Sequence, residues 1–210
     1  TLQREVCSSR DAVFLTLVNL FKKTDEHSPL RPKIWELVHK IKQIKANTKA
    51  EKAMELIREI GDKVIVFTEY RATQEYLLHF FRQHNLVAVP YRGGMNRGKK
   101  DWMMDLFRGR AQILVATEAG GEGINLQFCN HIINFDLPWN PMRVEQRIGR
   151  VHRLGQTNDV KIYNLYTTGT IEEHIVRLLH EKINLFEMVV GELDDILERL
   201  EREEQPLEQR

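Results

Sequence analysis

Residues 111–156 read AQILVATEAGGEGINLQFCNHIINFDLPWNPMRVEQRIGRVHRLGQ. Ile113, Leu114, Val115 and Ala116 make a short apolar run that predicts a buried strand. It leads into Ala119-Gly120-Gly121-Glu122-Gly123, and a glycine-rich turn after a strand leaves backbone N–H groups free to point at phosphate. A second apolar run, His131–Phe135, is followed by a turn through Asp136, Pro138 and Asn140. Pro141 suits the first turn of a helix, so a helix is expected over 141–154. On it Arg143, Arg147, Arg150 and Arg153 recur at intervals of four, three and three, which puts them on one face with roughly 5–6 Å between neighbouring Cβ atoms. Like charges so spaced destabilise a helix, and Glu145 is the only acid between Pro141 and Asn158. Guanidinium forks match phosphate oxygens, so an anionic ligand is one reading of the row and a solvated basic face is the other. Glycine inside a helix costs about 1 kcal/mol relative to alanine, so Gly149 beside Arg150 suggests a close approach there. The glycine turn and the arginine row are expected at the ends of adjacent strands of one sheet, where open α/β sheets bind ligands.

Outward from this stretch, strands and helices alternate. Strands are expected at 63–68, 86–91, 112–116, 131–135 and 159–166, and helices at 71–84, 97–108 and 141–154. Such alternation predicts a parallel sheet covered on both faces. Residues 10–23 and 31–46 predict helices, the second with Ile34, Leu37, Val38, Ile41 and Ile44 at helical spacing. Thr48 with Glu51, and Thr170 with Glu173, carry the capping-box pattern; the first opens a helix that stops at Gly61. The second opens a long helix with Ile171, Ile175, Leu178, Leu179, Ile183 and Phe186 on one side, continued past Gly191 by Leu193, Ile196, Leu197 and Leu200. The division expected is an N-terminal helical segment (1–46), an α/β lobe (47–170) and a C-terminal helical extension with an acidic tail (171–210).

Several stretches in this order resemble a known set of motifs. ATEAGGEGINL (116–126), FDLPWNP (135–141) and EQRIGRVHRLGQ (145–156) look like motifs V, Va and VI of the Swi/Snf-related ATPases, a branch of the superfamily-two helicases. KVIVFTEY (63–70) and YRGGMNR (91–97) resemble motifs IV and IVa, and Thr48-Lys49 resembles the usual lead-in. The match covers roughly residues 47–175 and implies a RecA-like parallel sheet with helices on both faces, plus N-terminal helices and a long C-terminal helix. It implies that Arg150 and Arg153 are arginine fingers reaching the γ-phosphate of ATP, with Gly121 and Gly123 approaching the nucleotide and Asn125 and Gln146 lining or bracing the same cleft. Gly93, Arg97 and Thr117 fall where such proteins touch the nucleic-acid backbone. On the residues alone, Thr117 could simply end a strand and Arg97 could cap its helix against Asp101. Glu118, Glu122 and Arg147 depart from the chromatin-remodeller pattern, and Glu122-Gly123, Leu126-Gln127-Phe128 and the stretch EQRIGR (145–150) together look more like the bacterial and archaeal branch, which includes the ATPase that recycles RNA polymerase.

A complete ATPase of this class needs a phosphate loop, G-x-x-x-x-G-K-[ST]. The nearest stretch runs from Gly93 to Lys100, where lysine replaces the hydroxyl residue; a turn leading into a helix is the simpler reading. The chain is therefore expected to be the second RecA-like lobe of a double-stranded DNA translocase, inactive alone and excised from a longer parent. ATP and Mg²⁺ would be held mainly by the first lobe, and no metal site is expected here. Partners implied are duplex DNA, the first lobe and, in one reading, RNA polymerase. The other readings are a nucleic-acid- or polymerase-binding module without catalytic duty, and a strand-separating helicase.

Composition fits a folded domain rather than a tail. Six prolines and 42% hydrophobic residues oppose disorder, no apolar run nears the roughly 18 residues of a membrane span, and no signal peptide is visible. Cys7 and Cys129 lack metal spacing, and Cys129 is expected to be a small buried side chain. An intracellular location is expected, cytoplasmic and nucleoid-associated in a prokaryote. Basic residues outnumber acidic ones 12 to 8 over 1–60 and 14 to 10 over 61–170, but trail 5 to 12 over 171–210, so any nucleic-acid contact rests on local patches. Lys33, Lys40, Lys42, Lys45 and Lys49 could form such a patch or the solvated side of a helix.

Overall fold

The computed structural model describes residues 2–117, 126–152 and 158–181. Three helices come first: α1 (Leu2–Ser8), α2 (Arg10–Lys23) and α3 (Leu30–Gln43). Val13 and Leu17 of α2 pack on Ile34, Val38 and Ile41 of α3 in a small core of their own. The α/β lobe then follows as α4 (Thr48–Ile60), β1 (Val64–Thr68), α5 (Arg71–Gln83), β2 (Ala88–Tyr91), α6 (Arg97–Gly109), β3 (Ile113–Thr117), β4 (His131–Asn134), α7 (Pro141–Ile148) and β5 (Lys161–Asn164). Residues 171–181 are helical and form α8.

The strands make one sheet in the order β2-β3-β1-β4-β5, every neighbouring pair parallel. β1, β3 and β4 are buried along their whole length, which is why they are continuous apolar runs. Their side chains still alternate between faces. Ile65, Phe67, Leu114, Ala116 and Ile132 meet Met103, Met104 and Phe107 of α6 on one side. Val64, Val66, Ile113, Val115 and Ile133 meet Ala50, Ala53 and Ile57 of α4 and Leu77 and Phe81 of α5 on the other. Pro90 lies in β2, an edge strand, where its missing donor is tolerated.

Several boundaries move, for local reasons. The first helix of the N-terminal segment was expected over 10–23, yet α1 precedes α2; they are separated at Ser9, which is extended (φ −155°) and whose Oγ accepts the Ala12 N–H. The cap of α4 is Asn47, whose Oδ1 accepts the Ala50 N–H at 3.0 Å, and not Thr48. At α8 the reciprocal cap is shifted by one residue: Thr170 Oγ1 accepts from the Glu172 N–H at 3.2 Å, and Glu173 Oε2 accepts from the Gly169 N–H at 2.8 Å. The glycine turn, Arg153 and the C-terminal stripe from Ile183 to Leu200 lie outside the described residues.

A buried polar network joins these parts at the carboxyl edge of the sheet. Asp136, 3% exposed, accepts hydrogen bonds on Oδ2 from Ser8 Oγ (2.9 Å), Thr68 Oγ1 and the Glu69 N–H (3.2 Å). Lys49 Nζ lies 3.7 Å from Asp136 Oδ1 and 2.5 Å from Glu172 Oε1, and donates to the Phe135 carbonyl at 2.8 Å. Lys49 is thus neither a patch lysine nor solvated. Glu172 also accepts the Thr167 N–H at 2.9 Å; burial raises its carboxyl above the ordinary range, against the opposing pull of Lys49. Ser8 and Ser9 both reach Thr73 Oγ1 of α5, at 2.8 and 2.7 Å, and Arg4 pairs with Glu69 while donating to the Leu137 carbonyl at 2.9 Å.

Removing one member of a buried ion pair leaves an uncompensated charge and costs about 3–5 kcal/mol. Lys49→Ala is expected to lower the unfolding free energy of the chain by about that amount in urea denaturation; a loss under about 0.5 kcal/mol, the range of ordinary surface substitutions, would contradict this placement. His131, first residue of β4, is held below its ordinary 6.5 by burial and then by the Lys161 ammonium. The unfolded chain therefore takes up the proton first, so this stabilisation is complete above pH 6.5 and is lost as pH falls through the lower folded value. His131→Gln is expected to flatten the stability profile over that window, as measured by thermal unfolding against pH.

Candidate functional site

The carboxyl ends of β3, β1 and β4 lie side by side, but not in the expected order. β1 stands between β3 and β4, so the glycine segment and the arginine helix do not leave neighbouring strands. Leu126, the first described residue after the glycine segment, donates its N–H to the Arg150 carbonyl at 3.1 Å. Leu126 and Val151 are both buried in the same core. The end of the glycine segment and the arginine segment therefore meet through a main-chain bond rather than through adjacent strands.

The arginine row is also divided. Asn140 Oδ1 accepts the Met142 N–H at 3.1 Å and Pro141 occupies the first turn, as the sequence predicts. The helix ends at Ile148, six residues before the expected 154. Gly149 is followed by tight turns in which Arg150 N–H donates to the Arg147 carbonyl and Val151 N–H to the Ile148 carbonyl, at 3.2 and 2.9 Å, and burial of Val151 directs the chain inward. Arg143 and Gln146 are exposed on α7 and Arg150 is half-buried beyond it. Arg147 faces the opposite way and is 4% exposed. Its Nη1 donates to Asn134 Oδ1 and to the Asp136 carbonyl, both at 2.8 Å, and its guanidinium lies 5.2 Å from the Phe67 ring centre. The expected single face of four arginines is corrected accordingly: Arg147 anchors the helix to the end of β4. Of the remaining nucleotide-side candidates, Gly121, Gly123, Asn125 and Arg153 lie outside the described residues.

On the far side of the sheet, β2 leads into Gly93 and Gly94, the latter at φ +76°, where a side chain would be strained. Asn96 Oδ1 accepts the Lys99 N–H at 2.9 Å and opens α6 at Arg97, which is exposed. The stretch from Gly93 to Lys100 is thus the turn into a helix. Thr117 closes β3, paired with Thr68 of β1, and is 8% exposed. Gly93, Arg97 and Thr117 follow from the carboxyl ends of adjacent strands.

Gln74 holds those ends together. It is fully buried on α5, and its Nε2 donates to the carbonyls of Tyr91 (3.2 Å) and Val115 (2.7 Å). Its Oε1 accepts from Arg92 Nη1 at 3.4 Å. Arg92 Nη1 also donates to Glu75 Oε1 at 2.9 Å, and this bond above all holds the Glu75 carboxyl below the ordinary carboxylate value. Sequence reasoning missed Gln74 and Asp136, and took Lys49 only for part of a lead-in or a basic patch. The available signal for Gln74 was a polar residue in register with Leu77 and Phe81 on the apolar face of a helix.

Among the described residues, no group of three or more His, Cys, Asp or Glu side chains could hold a metal ion, and no helix is long and apolar enough to cross a membrane. Cys129 is buried, as expected. The parallel sheet, the motifs at its carboxyl edge and the arginine helix define a RecA-like helicase lobe. Residues 48–155 match the helicase conserved C-terminal domain. The chain belongs to that family, in its Swi/Snf-related branch. It is 61% identical over 203 residues to the ATP-dependent helicase YqhH of Bacillus subtilis, covering 96% of this chain and 36% of that protein. It is 37% identical over 130 residues to the RNA polymerase-associated protein RapA of Vibrio vulnificus, covering 60% of this chain and 13% of RapA. The chain thus spans about a third or less of these relatives. The crystal structure of the C-terminal part of the Fun30 ATPase domain superposes with a TM-score of 0.59 at 23% identity, covering 80% of this chain and 64% of that one, and shares its fold.

If Arg147 is an internal anchor, Arg147→Met keeps its apolar stem but leaves Asn134 and the Asp136 carbonyl without their donor. An unfolding free energy lower by about 2–4 kcal/mol is expected from hydrogen bonds made by a charged group. Unchanged stability on chemical denaturation would show that Arg147 is not held in this way.

Proposed function

We propose that the chain is the second RecA-like lobe of an ATP-dependent translocase acting on double-stranded DNA. In this reading Arg150 and Arg153 are arginine fingers, and Gly121, Gly123, Asn125 and Gln146 complete the nucleotide side of a cleft whose other wall is a first RecA-like lobe. Gly93, Arg97 and Thr117 contact the nucleic-acid backbone. The observation that supports the reading is the Leu126–Arg150 main-chain bond, because it ties the residue that follows the glycine segment in sequence to the first proposed finger.

ATP is the substrate, and Mg²⁺ would accompany it. The buried carboxylates here do not suit that ion, since Asp136 and Glu172 are engaged by Ser8, Thr68 and Lys49 whereas Mg²⁺ usually keeps several waters. In this reading its ligands come mainly from the other lobe. The fingers stabilise charge that develops on the phosphoryl group in transfer. Arg150 is positioned for this by Arg147, which fixes α7, and by Leu126, which holds its carbonyl. ATP closes the two lobes on duplex DNA and hydrolysis reopens them, moving the protein along one strand. The likeness to RapA favours RNA polymerase as a further partner.

In a two-lobed parent, Arg150→Ala and Arg153→Ala are each expected to lower ATP turnover by about 10³–10⁵-fold while duplex binding is kept. Retained turnover would contradict the finger role, and joint loss of turnover and binding with a shallower salt dependence would make these side chains backbone contacts. The 210-residue chain alone is expected to hydrolyse ATP negligibly.

A further inference from the structure

Two arginines that the proposed function leaves without a role converge on one carboxylate oxygen beside the proposed backbone contacts. Arg92 Nη1 and Arg71 Nε both donate to Glu75 Oε1, at 2.9 and 3.3 Å. We propose that Arg92 and Arg71 form an additional binding site for the phosphodiester backbone of duplex nucleic acid, with Glu75 as the resident counterion that the backbone displaces. The proposal rests on the reading of this lobe as a duplex-binding one.

Three features carry it. Two guanidiniums against one carboxylate leave an excess positive charge, and guanidinium geometry suits phosphate oxygens. Exposed ion pairs contribute little to stability, typically under about 1 kcal/mol, so exchanging carboxylate for phosphate costs the fold little. The Arg71 and Glu75 side chains are 72% and 57% exposed, and Arg92 is 25% exposed, so the exchange needs no opening of the core. Finally, Arg92 is preorganised by the fully buried Gln74, the same side chain that ties the ends of β2 and β3. That tie places Arg92 next to Gly93 and on the edge that carries Arg97 and Thr117. Gln74 is here a positioning residue, acting through Arg92.

The test is fluorescence anisotropy of the full 210-residue chain with a labelled duplex oligonucleotide over a salt series, with thermal unfolding run on each variant to confirm the fold. Each phosphate neutralised contributes about −0.9 to the slope of log affinity against log salt. Arg92→Gln and Arg71→Gln are each expected to reduce that slope by about 1, and Glu75→Gln to tighten binding about 3–10-fold at low salt, an advantage that shrinks as salt screens the site. Gln74→Leu is expected to act in the direction of Arg92→Gln, and to have no further effect when Arg92 is already replaced. Inorganic phosphate at matched ionic strength should not compete. Unchanged slopes in both arginine variants, or weaker binding by Glu75→Gln, would overturn the proposal, as would specific competition by inorganic phosphate, which would make the pair a free-anion site. If Arg97→Gln lowers the slope while Arg71→Gln and Arg92→Gln do not, this inference fails and the duplex-binding reading stands; if the unaltered chain binds no duplex, both fail.

Discussion

The carboxylate of Asp136 is the constraint on which the carboxyl edge of this lobe depends. A buried charge is tolerated only when paired and hydrogen-bonded, and the partners of this one come from three separate parts of the chain, with a fourth reached through Lys49. Ser8 brings the N-terminal helices, Thr68 and Glu69 bring the end of β1, Lys49 brings α4, and Lys49 in turn brings Glu172 of α8. The same residue uses its main-chain carbonyl to accept Arg147. One position thus joins the helical layer that precedes the sheet, the sheet itself and the arginine helix.

This arrangement explains why a helix so rich in arginine is stable where it sits. The like charges do not share one face. Arg147 is turned in and met by neutral acceptors and the face of Phe67, Arg143 is turned out, and Arg150 has left the helix altogether. The tight turns after Gly149 carry Val151 into the core and bring the Arg150 carbonyl to Leu126. The buried arginine and the half-buried one therefore have different tasks, although spacing alone made them equivalent. A similar division holds at the other side of the sheet, where Gln74 works from inside on the strands that end in Gly93 and Thr117.

The sheet was legible because its strands announce themselves. Continuous apolar runs such as Val64–Phe67 and Ile113–Ala116, each followed by a turn and a helix with apolar residues at helical spacing, leave little choice but a parallel sheet with covered faces. Strand order was not legible, since nothing in the residues of β3 and β4 says that β1 lies between them; order is set by crossover geometry over distances that local pattern does not reach. The helix starts at Pro141 and Arg97 were readable, while α7 ended early because tertiary burial of Val151 outweighs a helical pattern that continues past it. The buried polar residues were hidden for a simpler reason. Lys49 and Asp136 have the residue types of a surface, and only their partners, 87 positions apart in sequence from one another, show that they are not.

Hydrogen exchange on the 210-residue chain with Asp136→Ala, followed segment by segment against the unaltered protein, tests this account most directly. It predicts that amides of α1, of the β1 end around Thr68 and Glu69, and of the Arg147–Val151 turn lose protection together, while the helical face formed by α6 keeps it. Loss of protection confined to the immediate neighbours of residue 136, with those three segments unchanged, would contradict it.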